Sequence, residues 1–155
     1  MRLGLGTWVA IEASGCSAAG ALQAVENAYG CIRHVEERMH PQRAGSDLSN
    51  LREAPAGTAV RIDPDTWVVL QFARRLYELS RGVFDPCLPQ VDGRMCDLQL
   101  SAPGEPPWAR TCAPLRIDCG GIAKGYAVDR ALEALRAAGC TEGVVNAGGN
   151  RPGVP

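Results

Sequence analysis

An α+β fold is predicted for this 155-residue chain by three features of its sequence. Long segments carry apolar residues spaced three and four apart, the period of a half-buried helix. Short runs rich in β-formers lie between them. Eighteen glycines and 11 prolines punctuate the chain, so turns separate nearly every element. The expected architecture is one domain over residues 1–155, a mixed sheet with helices packed on it. A chain of this length buries roughly 70% of its unfolded surface in a single core.

Residues 3–13 read as one strand, with Thr7, Trp8, Val9 and Ile11 as β-formers. Ser17 is the expected N-cap of a helix reaching about Met39. Its Leu22, Val25, Tyr29, Ile32, Val35 and Met39 make one apolar stripe. A short helical turn follows over residues 46–51, then a strand over 58–62. Asp63-Pro64 sets a cap and a proline in the order that opens a helix, and Ser80-Arg81-Gly82 closes it near Leu79. From Gly82 to Pro114 no period is visible, only turn residues and a short strand over 96–100. A loop of that length in a compact domain usually carries function. A strand over 115–118, a helix over 122–138 and a strand over 143–146 complete the order, before a tail of turn residues from Gly148.

Composition excludes several classes. The 46% hydrophobic content rules out disorder. A net charge of −1 with no basic stripe excludes a nucleic-acid partner. No run of about 18 apolar residues exists to span a membrane. Glu12 interrupts the apolar run before Ala13-Ser14-Gly15-Cys16, so the start reads as a strand and not as a signal peptide. Seven cysteines, odd in number and without a C-x-x-C pair, read as free thiols in a reducing setting, neither zinc site nor disulfide framework. Lys124 is the only lysine among 16 basic residues, which hints at a specific role.

The strongest local pattern is a strand running into glycines and a helix, Ile117-Asp118-Cys119-Gly120-Gly121-Ile122-Ala123-Lys124. Such a corner exposes backbone N–H groups, and glycine lets a ligand approach the main chain. Asp118 accepts hydrogen bonds or faces a cation, and Lys124 supplies a point charge for phosphate. A plain β-to-α turn with a solvated lysine explains the same residues equally well. The segment matches neither G-x-x-x-x-G-K-[ST] nor G-x-G-x-x-G. Asn146 before Gly148 either presents an amide to a ligand or caps a turn, and Asp85-Pro86 reads as a turn. His34 and His40, six apart, fall on different helix faces and read as solvated or half-buried side chains.

Taken in order, these segments resemble the ApbE family, the FAD:protein FMN transferases once called thiamine-biosynthesis lipoproteins. The matching blocks are Gly6-Thr7-Trp8-Val9, Glu37-Arg38-Met39 with Ser46-Asp47-Leu48-Ser49-Asn50-Leu51, Ile62-Asp63-Pro64, and Gly82-Val83-Phe84-Asp85-Pro86. Two more follow, Asp118-Cys119-Gly120-Gly121-Ile122-Ala123-Lys124-Gly125-Tyr126-Ala127-Val128-Asp129 and Val145-Asn146-Ala147-Gly148-Gly149. The resemblance implies an ApbE-like fold, present as its N-terminal part and so incomplete. It implies binding of FAD with Mg²⁺, cleavage of the pyrophosphate, and transfer of FMN to a Thr or Ser of a target flavoprotein. By the same resemblance Asp118 and Lys124 lie on FAD, the Gly121 carbonyl is a magnesium ligand, and Leu5, Gln42, Cys87, Leu88 and Pro89 stand beside the nucleotide.

The chain departs from the family pattern at several of these positions. Leu5 replaces a methionine, Cys87-Leu88-Pro89-Gln90 replaces Thr-Val-Gly-Pro, and Asn150 replaces an aspartate. The family's remaining magnesium ligands lie further downstream than residue 155, so weak or absent transfer is expected. An uncovered apolar face is also expected, and with it self-association into a homo-oligomer. The alternative reading is a non-catalytic remnant that binds a nucleotide or a protein. Family members commonly have an exported, lipid-anchored start, where this chain has a predicted strand.

Overall fold

The structure, a computed structural model, describes residues 1–148. The predicted turn-rich tail from Gly149 onward lies outside the described residues. Six strands and four α-helices follow one another as β1 (Arg2–Gly4), β2 (Thr7–Ser14), α1 (Ala18–Met39), α2 (Asp47–Glu53), β3 (Val60–Arg61), α3 (Pro64–Leu79), β4 (Leu98–Leu100), β5 (Trp108–Thr111), α4 (Gly120–Ala137) and β6 (Glu142–Ala147). A 3₁₀ turn at Met95–Asp97 precedes β4. The chain divides into two compact units. One holds residues 1–36 with 124–148, the other residues 37–123.

The expected α+β class holds, but the expected mixed sheet does not. Two three-stranded sheets are present, ordered β1-β2-β6 and β3-β5-β4, and every pairing in them is antiparallel. In the first unit the single strand predicted over residues 3–13 is a hairpin. Gly4 pairs with Thr7 across the two-residue loop Leu5-Gly6, and both loop residues have positive φ, 54° and 70°. That is the handedness tight hairpins prefer, because it matches the twist of the strands. Glycine takes it freely, whereas Leu5 pays for it.

α1 begins as predicted, with the Ser17 hydroxyl accepting from the Gly20 N–H at 3.1 Å. Its buried stripe keeps the expected Tyr29, Ile32, Val35 and Met39 but differs at the start of the helix. Leu22 is 72% exposed, while Ala24 and Ala28 are fully buried ahead of Ile32 and Val35. Small side chains thus hold fully covered positions on this helix, a pattern that hydrophobicity alone does not reveal. The Tyr29 hydroxyl donates to the Val9 carbonyl at 3.1 Å, tying helix to sheet within the first unit.

The second unit is organised around a buried carboxylate. Asp47, 3% exposed, accepts the Thr66 hydroxyl at 2.6 Å and the Asp63 N–H at 2.8 Å through Oδ2. Arg38 lies 3.9 Å from its Oδ1 and 3.8 Å from the carboxylate of Asp63. The last turn of α1, the start of α2 and the start of α3 thereby meet at one anion. Asp63 caps α3 as its sequence predicts, accepting from the Asp65 N–H, with Pro64 next in line. Ser46 caps α2, accepting from the Ser49 N–H at 3.1 Å and donating to the His40 carbonyl at 2.6 Å.

Two strands differ from expectation. β5 was hidden behind Pro106 and Pro107, and only four residues long it carries little periodic signal. Residues 115–118, expected as a strand, run extended but join only an isolated antiparallel bridge between Cys87 and Ile117. Among the described residues no helix is long and apolar enough to cross a membrane.

Two stability measurements test these assignments. Asp47→Ala strands two buried donors and frees Arg38, so urea unfolding should show a loss of about 3 kcal/mol. Leu5→Gly relieves the left-handed cost and should gain about 1 kcal/mol. A loss in the second variant would mean that packing by the leucine side chain outweighs its backbone strain.

Candidate functional site

The bridge between Cys87 and Ile117 is the spine of the site. Leu88 donates its N–H to the Arg116 carbonyl at 2.7 Å, and Asp118 donates its own to the Pro86 carbonyl at 2.9 Å. Two segments thirty residues apart in sequence are thus zipped side by side. On the Phe84-Asp85-Pro86 side the turn is held by the Asp85 carboxylate, which accepts from the Cys87 N–H at 2.9 Å. The second Asp85 oxygen is buried, 3.7 Å from the Arg94 guanidinium.

A cleft of the second unit opens against this pair of segments. Gln42, Leu88 and Asp118 line it, three of the residues predicted separately from the sequence. Leu48, Ile117 and Pro41 add apolar wall, and Arg52 and Arg116 add positive charge. The loop carrying Gln42 is pinned twice. The His40 Nδ1 accepts from the N–H groups of Gln42 and Arg43, each at 3.1 Å, and Arg52 donates to the Pro41 carbonyl at 2.9 Å. His40, read from sequence as a solvated or half-buried side chain, is exposed and also shapes the cleft wall.

At the other end of this spine Asp118 has a structural duty as well. Its Oδ1 accepts from the Gly120 N–H at 2.8 Å, which satisfies a donor at the start of α4. Gly121 is exposed in the first turn of that helix, where backbone carbonyls point along the helix axis toward its C-terminus. Cys87 is half-buried beside the cleft and Pro89 is exposed in the turn beyond it. Burial, with the nearby Asp85 carboxylate, raises the Cys87 thiol far above its ordinary range. Burial likewise pushes the Cys119 thiol up to about 12. Both thiols are neutral near pH 7, so Cys87 offers a soft apolar surface and no nucleophile.

The two remaining predicted residues belong to the first unit. Leu5 is half-buried in the β1–β2 turn, and Lys124 is exposed on α4. Arg52, Arg116 and His40 were not among the predicted site residues. No spacing rule marks them, because they reach the cleft through a non-local strand contact and a loop.

This arrangement is a fold of known kind. The ApbE protein of Thermotoga maritima superposes with a TM-score of 0.79 at 21% identity, over 96% of this chain and 55% of that one. The flavin transferase ApbE of Vibrio cholerae gives 0.78 at 21% identity, over 99% and 60%. The ApbE family model matches residues 5–94 and 88–152, and the chain belongs to that family. An FAD:protein FMN transferase of Rhodobacter capsulatus is 30% identical over 169 residues, which cover 93% of this chain and 32% of that protein. The chain thus spans about a third of that curated relative.

Thiol reactivity checks the geometry directly. Treated with iodoacetamide at pH 8, the native chain should label exposed Cys96 and Cys112 first. Cys119 and Cys87 should be at least tenfold slower, because a raised pKa leaves almost no thiolate at that pH. Fast labelling of Cys119 would contradict its buried position.

Proposed function

We propose that this chain contributes to an FAD:protein FMN transferase site, with FAD as the nucleotide and a flavoprotein hydroxyl as the acceptor. One observation carries the reading: Gln42, Leu88 and Asp118, expected at the nucleotide from separate sequence blocks, line a single cleft. The likeness to the Rhodobacter capsulatus transferase supports the same chemistry.

The lining suits such a ligand. Leu48, Leu88 and Ile117 offer an apolar wall to a flat ring. The Gln42 amide both donates and accepts, which fits the edge of a heterocycle. Arg116 supplies a guanidinium for phosphate oxygens. The Asp118 carboxylate accepts hydrogen bonds from a hydroxyl while its Oδ1 keeps the start of α4 in place. Positioning of charge, with no covalent nucleophile from the protein, is what phosphoryl transfer chiefly needs.

Mg²⁺, when bound with the nucleotide, neutralises charge on the cleaving pyrophosphate. It takes oxygen donors in near-octahedral geometry and gives up its waters reluctantly. Asp118 and the Gly121 carbonyl are oxygen donors of the right chemistry, but two make an incomplete set without the pyrophosphate's own oxygens.

Two experiments test the reading. FAD titrated calorimetrically should bind saturably, and Arg116→Ala should weaken it about tenfold, the worth of one charge-assisted hydrogen bond. No heat with FAD would overturn the nucleotide assignment. Incubation with FAD, Mg²⁺ and a target flavoprotein should then give weak or no covalent flavin fluorescence on a denaturing gel. Robust labelling would show that the chain completes the metal site by itself.

A further inference from the structure

β2 and β6 pair antiparallel in a register that ends at Ser14 opposite Glu142, where the Ser14 hydroxyl donates to the Glu142 carboxylate at 2.8 Å. Carried two residues further, the same register sets Gly15 against Thr141 and Cys16 against Cys140. The chain holds that approach beyond the last ladder pair. Gly15 has a φ of +79°, and a Cβ placed on it would stand 1.7 Å from the Thr141 hydroxyl oxygen. Only glycine allows the two segments to lie so close. The sulfurs of Cys16 and Cys140 consequently meet at 3.0 Å, although 124 residues separate them in sequence. At that separation the sulfurs need to close by only about 1 Å to reach the roughly 2.05 Å of a disulfide.

We propose that Cys16 and Cys140 are a redox pair that closes reversibly into an intramolecular disulfide by exchange with a small-molecule disulfide of the glutathione type. Cys16 is the half-buried member and Cys140 the buried one, so Cys16 meets the oxidant first. Its thiolate attacks one sulfur of the small disulfide, that S–S bond breaks, and one small thiolate leaves and takes up a proton. The Cys140 thiolate then attacks the Cys16 sulfur of the mixed disulfide and expels the second small thiol. Two protein thiols are oxidised and one small disulfide is reduced to two thiols. The bond closes a loop of more than a hundred residues and staples the end of the β2–β6 ladder, which restricts the unfolded chain.

The proposal is tested on the full chain carrying Cys96→Ser and Cys112→Ser, which removes the two exposed thiols. After incubation with oxidised glutathione, the free thiols counted under denaturing conditions should fall by two. Non-reducing peptide mapping should show the segment containing Cys16 joined to that containing Cys140. The thermal midpoint should rise by more than about 5 °C and return on reduction. Adding Cys16→Ser or Cys140→Ser should abolish the thiol loss. A stable glutathione adduct on Cys16 with Cys140 still free would overturn the proposal, as would joining of any other pair. The peptide map of the parent chain decides the matter even if a serine variant folds poorly.

Discussion

The second unit depends on one buried anion. A carboxylate at 3% exposure is costly unless every lone pair facing the interior has a partner. Asp47 meets that demand by drawing in the Thr66 hydroxyl, the Asp63 N–H and the Arg38 guanidinium. Because these groups come from the end of α1 and the start of α3, while Asp47 itself opens α2, satisfying the charge also sets where the helices begin and end relative to one another. A hydrophobic contact in the same place would be tolerant of sliding, whereas a hydrogen bond to an N-cap backbone is not. The stretch Ser46-Asp47-Leu48-Ser49 therefore acts as a joint as well as a helix start.

From that joint the cleft follows. α2 carries Leu48 and Arg52 into its wall, and Arg52 together with His40 holds the loop that presents Gln42. The opposite wall comes from the pairing of residues 86–88 with residues 116–118, which is short and closed by two hydrogen bonds flanking the Cys87–Ile117 bridge. Asp118 stands at the end of this pairing and at the entrance of α4, so one residue couples strand geometry to helix geometry. Cys119 is buried and Cys87 half-buried, so this part of the unit is largely dry and both thiols are pushed upward. Dryness strengthens the hydrogen bonds and ion pairs that a polar ligand would make there.

The first unit shows a different economy. Its helix is tied to its sheet by one tyrosine hydroxyl, and its sheet closes through a two-residue turn with a leucine in a left-handed conformation. Close approach is the common theme. Gly4 allows it where β1 faces Ile32 of α1, and Gly15 allows it where β2 meets β6. Membership of the ApbE family rests on the match over most of the chain, and the likeness to the solved structures rests on shape, since only about a fifth of the residues agree.

The residues by themselves determined the features that depend on local physics. The caps at Ser17 and Asp63, the α3 span, the glycine stop after Leu79 and the glycine-led start of α4 after Asp118 all follow from short-range hydrogen bonding and period. The ordered motif blocks also carried the family, because each is a contiguous string. Tertiary structure alone decided the rest. Leu22 faces solvent because neighbouring elements approach the alanine side of α1, and no window on one helix encodes that approach. Sheet composition was misjudged because strand partners are chosen at a distance, where chain entropy and packing outweigh local propensity. Arg116 joins the cleft, and Cys16 meets Cys140, through the register of two segments far apart in sequence, whereas Arg52 and His40 act through the loop that follows α1. Register is a property of the pair, and neither segment holds it alone.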